Sequence, residues 1–215
     1  MKLQYVERSL ESLDWITIIL VGSFVLLAIT KLIYPKRFDE FIILPLTNKY
    51  FLVQGKSDNI IHPFNVLLFL FQIISVSLFI YLFFSEDAKM NSWLYLQICT
   101  VYTVFILVKL TIEKIIGTVF SLESVINRYL YQKLSYRNLL SLFIFIGNLI
   151  FFFIIKPNFN TLLYFAGSIL LFNSIALFYN YKSNRNFIYS NFFYFILYLC
   201  ALEISPYIIL YKALV

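Results

Sequence analysis

In the run NFFYFILYLCALEISPYIILYK, residues 191–212, a carboxylate stands inside a stretch otherwise greasy enough to cross a bilayer. A charge at mid-membrane costs about 2.5–3.5 kcal/mol even on the lenient insertion scale, so Glu203 must face protein, water or a cation, or take up a proton. Three residues on, Pro206 removes a backbone donor, frees the carbonyl of Leu202 and kinks the helix. Such breaks are tolerated in membranes where neighbours satisfy the freed groups. Lys109, within VFILVKLTIEK, is the intramembrane counter-charge for Glu203. Glu113 follows Lys109 by four residues, so these two also form a local pair on one helical face, and spacing does not choose between the partners. The chemistry open to Lys109, Glu113 and Glu203 is proton or ion coupling, capture of a ligand, or a packing pair that fixes one helix against another.

Other reactive residues are sparse. His62 stands just before Pro63 in IIHPFNVLLF, where a histidine caps a helix more often than it binds a metal, and Asp39, Glu40 and Asp58 share its segment without metal-ligand spacing. Cys99 and Cys200 both fall in apolar runs and build no disulfide framework. Nucleophile elbow, phosphate-binding glycine loop and HExxH patterns are all missing. The expectation is a chain without catalytic residues, metal or cofactor.

The elements that carry these residues follow from composition. Of 215 residues, 61% are hydrophobic and 13% charged, against about 25% charged in soluble domains. The mean hydropathy is +0.84. That much apolar surface does not fit inside one water-soluble core, so the fold class is all-α, a polytopic transmembrane bundle within one integral membrane domain, 1–215. Six segments reach the roughly 20 residues that a helix needs to span hydrocarbon, at about 15–34, 63–84, 92–112, 138–155, 161–179 and 191–213. The turn KPNFN, 156–160, makes the fourth and fifth a hairpin. The amino terminus is polar and mixed in charge, and the first apolar run is expected to stay as a helix.

The net charge of +6 belongs to topology, not to nucleic acid. Twelve of the 17 Lys and Arg residues fall between the first and second, third and fourth, and fifth and sixth segments, which the positive-inside rule places in the cytoplasm, with both termini outside. Lys36, Arg37, Arg128, Lys133, Arg137, Lys182 and Arg185 in these segments are candidates for anionic-lipid contact. Two amphipathic stretches are expected at the interface. One, KRFDEFIILPLTNKYF at 36–51, lies flat or re-enters; the other, at about 118–136, continues from the third segment with Val119, Leu122, Ile126, Leu130 and Leu134 on one face.

The residues Leu197, Tyr198, Leu199, Cys200, Glu203, Pro206 and Lys212, with Lys109, Gly117 and Phe120 in VYTVFILVKLTIEKIIGTVF, resemble the signature of an uncharacterised family of small polytopic inner-membrane proteins from Bacteroidota. Where that family often has a proline in its fourth apolar segment, this chain reads FIFIGNLIFFF, with Gly147 and Asn148. The resemblance implies a multi-spanning bacterial inner-membrane protein and brings no activity. Three functions compete. The first is a non-catalytic subunit that docks other membrane proteins in a cell-envelope complex, among lipids and without nucleic acid. The second is a small proton- or ion-coupled component using Glu203 and Lys109, and the third is a lipid-active enzyme.

Overall fold

The computed structural model describes residues 14–44, 62–84, 92–119 and 123–183. Among these every element is helical: α1 (Asp14–Ile33), α2 (Pro35–Ile42), α3 (Pro63–Phe84), α4 (Ser92–Val119), α5 (Glu123–Phe153) and α6 (Phe159–Ser183). α1, α3, α4 and the Ile126–Phe153 part of α5 are each long and apolar enough to cross a membrane, and the chain is a multi-pass membrane protein. The apolar part of α6, Phe159–Ile175, is shorter. The expected sixth segment, 191–213, and with it Glu203 and Pro206, lies outside the described residues.

α3 and α5 form the axis. Just over half of the apolar window of each, 56%, is buried, against 22% for α1. They run parallel: Phe64 packs with Tyr131, Tyr136 and Leu139, Phe71 with Phe145, and Phe79 and Leu82 with Ile144 and Phe151. α1, α4 and α6 run the other way along them. Tyr34, at the end of α1, meets Phe64, while Ile16 and Leu20, at its start, share a cluster with Leu78 and Tyr81. Between α3 and α6, Phe83 meets Phe159 and Phe79 meets Phe165. Hydrocarbon gives helices no hydrophobic drive to associate, so close packing and interhelical polar bonds must hold them together.

The α1 contact shows the packing device. Ile16, Leu20, Ser23 and Thr30 are its buried residues, at spacings of four, three and seven that keep them on one stripe. Ser23 Oγ donates to the Ile19 carbonyl at 2.8 Å and Thr30 Oγ1 to that of Leu26 at 2.7 Å, so both hydroxyls are satisfied within the helix while their small size allows close approach. At the opposite end from Tyr34, Trp15 stacks edge-on to Tyr81 at 5.4 Å and leans on Tyr95 at 5.7 Å, an aromatic anchor of the kind found at membrane interfaces.

Two boundaries differ from the sequence reading. The expected amphipathic segment does not form one helix with the third span. Residues 118–119 end α4, whereas 123–136 are the first part of α5, continuous with the fourth span. No proline interrupts 123–153, so the helical pattern runs through Arg137 and Asn138. A polarity-based boundary falls at these residues because it assumes that they face water; Asn138 is buried against protein. The amphipathic face also packs on protein, with Leu130 and Tyr131 buried, and the missing Cβ of Gly117 lets Ile126 approach α4. In the 36–51 stretch the described part is α2, with Pro35 in its first turn, where a missing donor is harmless. Phe38, Phe41 and Leu44 tuck under the bundle against Phe64 and Tyr131, leaving Lys36 and Asp39 exposed.

Gly147 closes the contact between α5 and α6. A Cβ added there would come within 2.7 Å of Phe165 Cε1, and that ring is pinned between Phe79 and Phe151 at centroid distances of 5.4 and 5.2 Å. Close approach, not a kink, is therefore what the glycine contributes. Gly147→Val is expected to destabilise the bundle by about 1–3 kcal/mol through overpacking, read as a lower unfolding midpoint in detergent micelles, whereas Gly167→Val should be near neutral because nothing lies within 4 Å of a Cβ there.

Candidate functional site

Polar residues gather along the seam where α3, α4 and α5 meet. At its centre Lys133 Nζ of α5 donates to Glu113 Oε1 of α4 at 2.8 Å, with side chains only 6% and 0% exposed. Lys133 Nζ also lies 5.7 Å from the centre of the Tyr129 ring. The second carboxylate oxygen, Glu113 Oε2, is buried with no hydrogen-bond partner among the described residues. Desolvating two charges costs about as much as their attraction returns, so such a pair adds little net stability, yet removing one partner strands the other charge.

Further along the seam, Gln72 Nε2 donates to the Tyr102 hydroxyl at 3.1 Å, and Arg137 Nη2 reaches the same oxygen at 3.5 Å. Asn148 Nδ2 donates to the Ser75 carbonyl at 2.8 Å, a direct bond from α5 to the α3 backbone. Asn138, on α5 between these groups, is buried, and its Oδ1 has no partner among the described residues. Asn65, Phe69, Leu110, Leu134, Ser135 and Asn138 border a cavity of about 120 Å³ there. A wider groove of about 520 Å³ opens between α4 and α5, past Leu107, Thr111, Lys114 and Thr118.

The structure redistributes the residues singled out by sequence. Glu113 takes Lys133 as partner, although the local spacing offered Lys109. Lys109 is half-buried one turn earlier on α4. Lys133 stands among the lipid-contact candidates in sequence, but its ammonium is buried in protein. Arg137 is half-buried on Tyr102, Arg37 is half-buried, and Lys36 and Arg128 are exposed. Lys182 lies in the last turn of α6, and Arg185 falls outside the described residues. Gln72 and Asn138 carry no sequence signal of this kind, and Asn148 stands out in sequence only as a departure from the proline expected in the fourth apolar segment. The signal for Lys133 was present, since Ile126, Leu130, Lys133 and Arg137 follow one another at steps of four, three and four, which puts the lysine on the apolar stripe.

His62 is a helix cap. Its carbonyl accepts from the amides of Asn65 and Val66 at 2.8 and 3.2 Å, and its Nδ1 accepts from the amide of Phe64 at 3.2 Å. The Tyr34 ring packs edge-on against the imidazole. Partial burial first, and then the nearby Arg37 charge, lower its pKa below 6.5. Among the described residues no group of three or more His, Cys, Asp and Glu could hold a metal.

Two outcomes follow. Lys133→Ala is expected to cost about 3–5 kcal/mol by stranding Glu113, and the double variant Glu113→Leu/Lys133→Met to recover most of it; detergent unfolding midpoints of the three proteins measure this. For His62, the folded state binds fewer protons than the unfolded state between its lowered pKa and 6.5. Its contribution is therefore complete above pH 6.5 and lost as pH falls through that window. His62→Asn keeps an N-cap acceptor without the titration, so the melting temperature of this variant should fall less steeply than that of the wild type below about pH 6.5.

A family model described as Domain of unknown function (DUF4271) matches residues 16–214. No curated protein and no solved structure matches the chain.

Proposed function

Since the chain belongs to the DUF4271 family, whose description names no activity, we propose from the geometry that it is a non-catalytic subunit of a bacterial inner-membrane complex, docking a partner on the cytoplasmic ends of α4 and α5. The carboxyl-terminal signature supports a Bacteroidota cell envelope as its setting, and the lysine and arginine bias supports periplasmic termini. One observation carries the reading, the buried Glu113–Lys133 pair. α4 and α5 have 28 and 31 residues, about 42 and 46 Å of helix, against a hydrocarbon core of about 30 Å. Phe64, in the first turn of α3, packs beside Tyr131, so the start of α5 from Glu123 runs about 12 Å beyond that level. The ion pair clamps this end of the hairpin in one register. A polar pair that adds little stability while specifying one arrangement suits a surface that must be presented in a fixed shape.

Exposed charges support the same reading. Among the described residues at this end, Lys36, Lys114 and Arg128 stand exposed against Asp39 and Glu123, so the partner is a membrane protein with an acidic juxtamembrane face. The exposed cations also suit anionic headgroups around the contact.

Photo-crosslinking residues placed at Glu123 and Arg128 in cells should each give one discrete adduct, weakened by Arg128→Glu. The same probe at Ile18, 71% exposed on α1, should give none. Equal adducts from Ile18 would sink the docking reading. A pH-driven ion flux in proteoliposomes that is lost in Glu203→Gln would replace it with ion coupling.

A further inference from the structure

The groove of about 520 Å³ between α4 and α5 sets one cation among mostly apolar side chains. Leu107, Thr111, Lys114 and Thr118 follow one another at steps of four, three and four, so they form one stripe along its α4 wall. Leu110 of α4 and Leu134 of α5 also line it. Thr111 Oγ1 donates to the Leu107 carbonyl at 2.8 Å and Thr118 Oγ1 to that of Lys114 at 3.2 Å, so both hydroxyl protons are spent within the helix. Recognition of a charged group therefore falls to the Lys114 ammonium. Other cations nearby are engaged in protein, Lys133 with Glu113 and Arg137 with Tyr102, whereas Lys114 is exposed and has no ion-pair partner among the described residues.

Depth narrows the occupant. Glu113, next to Lys114, meets Lys133, two positions from Tyr131, and Tyr131 packs with Phe64 in the first turn of α3. Lys114 thus lies near the level where α3 enters hydrocarbon. From there the stripe runs about 10 Å inward to Leu107 and about 6 Å outward to Thr118. A lysine at this level keeps its charge among headgroups while its stem lies on apolar surface. Leu107 is 49% exposed, so the inner end is open to a chain arriving from the bilayer. The occupant must bring a negative charge to Lys114 and hydrocarbon to Leu107, Leu110 and Leu134 in one molecule. A free phosphate leaves the apolar part bare, and a neutral lipid leaves the cation unmatched. A zwitterionic headgroup sets a second cation beside Lys114, and no carboxylate lines the groove to receive it. We propose that the groove binds one anionic phospholipid, with its phosphate on Lys114 Nζ and an acyl chain along Leu107, Leu110 and Leu134. The site stands whether or not the docking reading does, because Glu123 and Arg128 are not among its lining residues.

The test uses the full chain in phosphatidylcholine vesicles with a trace of phosphatidylglycerol that carries a photoactivatable, alkyne-tagged acyl chain. Labelled peptides should map to α4 and α5 around Leu107 and Leu134. Untagged phosphatidylglycerol should compete, phosphatidylethanolamine should compete about fivefold less well, and inorganic phosphate should not compete. Lys114→Gln should cut labelling about fivefold, the effect of one basic residue at an anionic surface. Its melting temperature should be unchanged, because the side chain is exposed. Lys36→Gln removes another exposed cation of the same end that does not line the groove, and should leave labelling as it is. Leu107→Trp, which obstructs the inner end and keeps Lys114, should also lower labelling. Equal losses in the two lysine variants would mean diffuse surface attraction alone and would overturn the proposal. Competition by phosphatidylethanolamine or inorganic phosphate equal to that of phosphatidylglycerol would overturn it as well.

Discussion

A carboxylate and an ammonium inside a bilayer protein have few places to go, and the arrangement of α4 against α5 is set by where these two meet. Glu113 and Lys133 approach to 2.8 Å with almost no exposure. For that contact the end of α4 must lie beside the start of α5, antiparallel and in one register. Gly117 then lies opposite Ile126, a contact that an added Cβ would crowd at 3.3 Å. A slip of one helical turn would strand both charges, which is far costlier than the modest net value of the pair itself. The pair is best understood as a constraint on register, with the apolar contacts around it supplying the cohesion.

The same constraint operates more gently along the rest of the seam. Lipid offers no hydrogen bonds, so polar side chains turn inward and find each other or a neighbouring backbone. Asn148 reaches the Ser75 carbonyl, and Gln72 meets the Tyr102 hydroxyl. Small residues bring the backbones close enough for this: Ser23 and Thr30 on α1, Ser75 and Ser77 on α3, and Gly147 on α5. Aromatic rings fill the remaining space, mostly edge to face, as in the Phe79, Phe151 and Phe165 cluster.

At the end of the bundle where α1 meets the start of α3, the short helix α2 and the His62 cap close the base. Phe38 and Phe41 bury beneath α3 and α5, and the imidazole completes the first turn of α3. The base is thus built from protein packing, and α2 is not simply floating on lipid. It also frames the projecting hairpin, whose exposed charges and locked register support a docking role.

Much of this protein was legible in its sequence. Composition alone dictates a membrane protein, because 61% apolar residues cannot be hidden in one soluble core. Apolar runs of spanning length placed α1 and α3 to within about a residue, since Pro63 and the polar flanks mark their ends. The KPNFN turn gave the α5–α6 hairpin for the same local reason. What local pattern did not reveal was partnership. Helical spacing offered Lys109 to Glu113, whereas the structure supplies Lys133, twenty positions away on another helix. Polarity ended the fourth span at Arg137 and Asn138, yet both lie within α5, because a polar residue facing protein carries the same letter as one facing water. Membership of an apolar or polar class is a property of each residue, and sequence states it. Which face meets which neighbour is a property of pairs, and only the packed helices decide it.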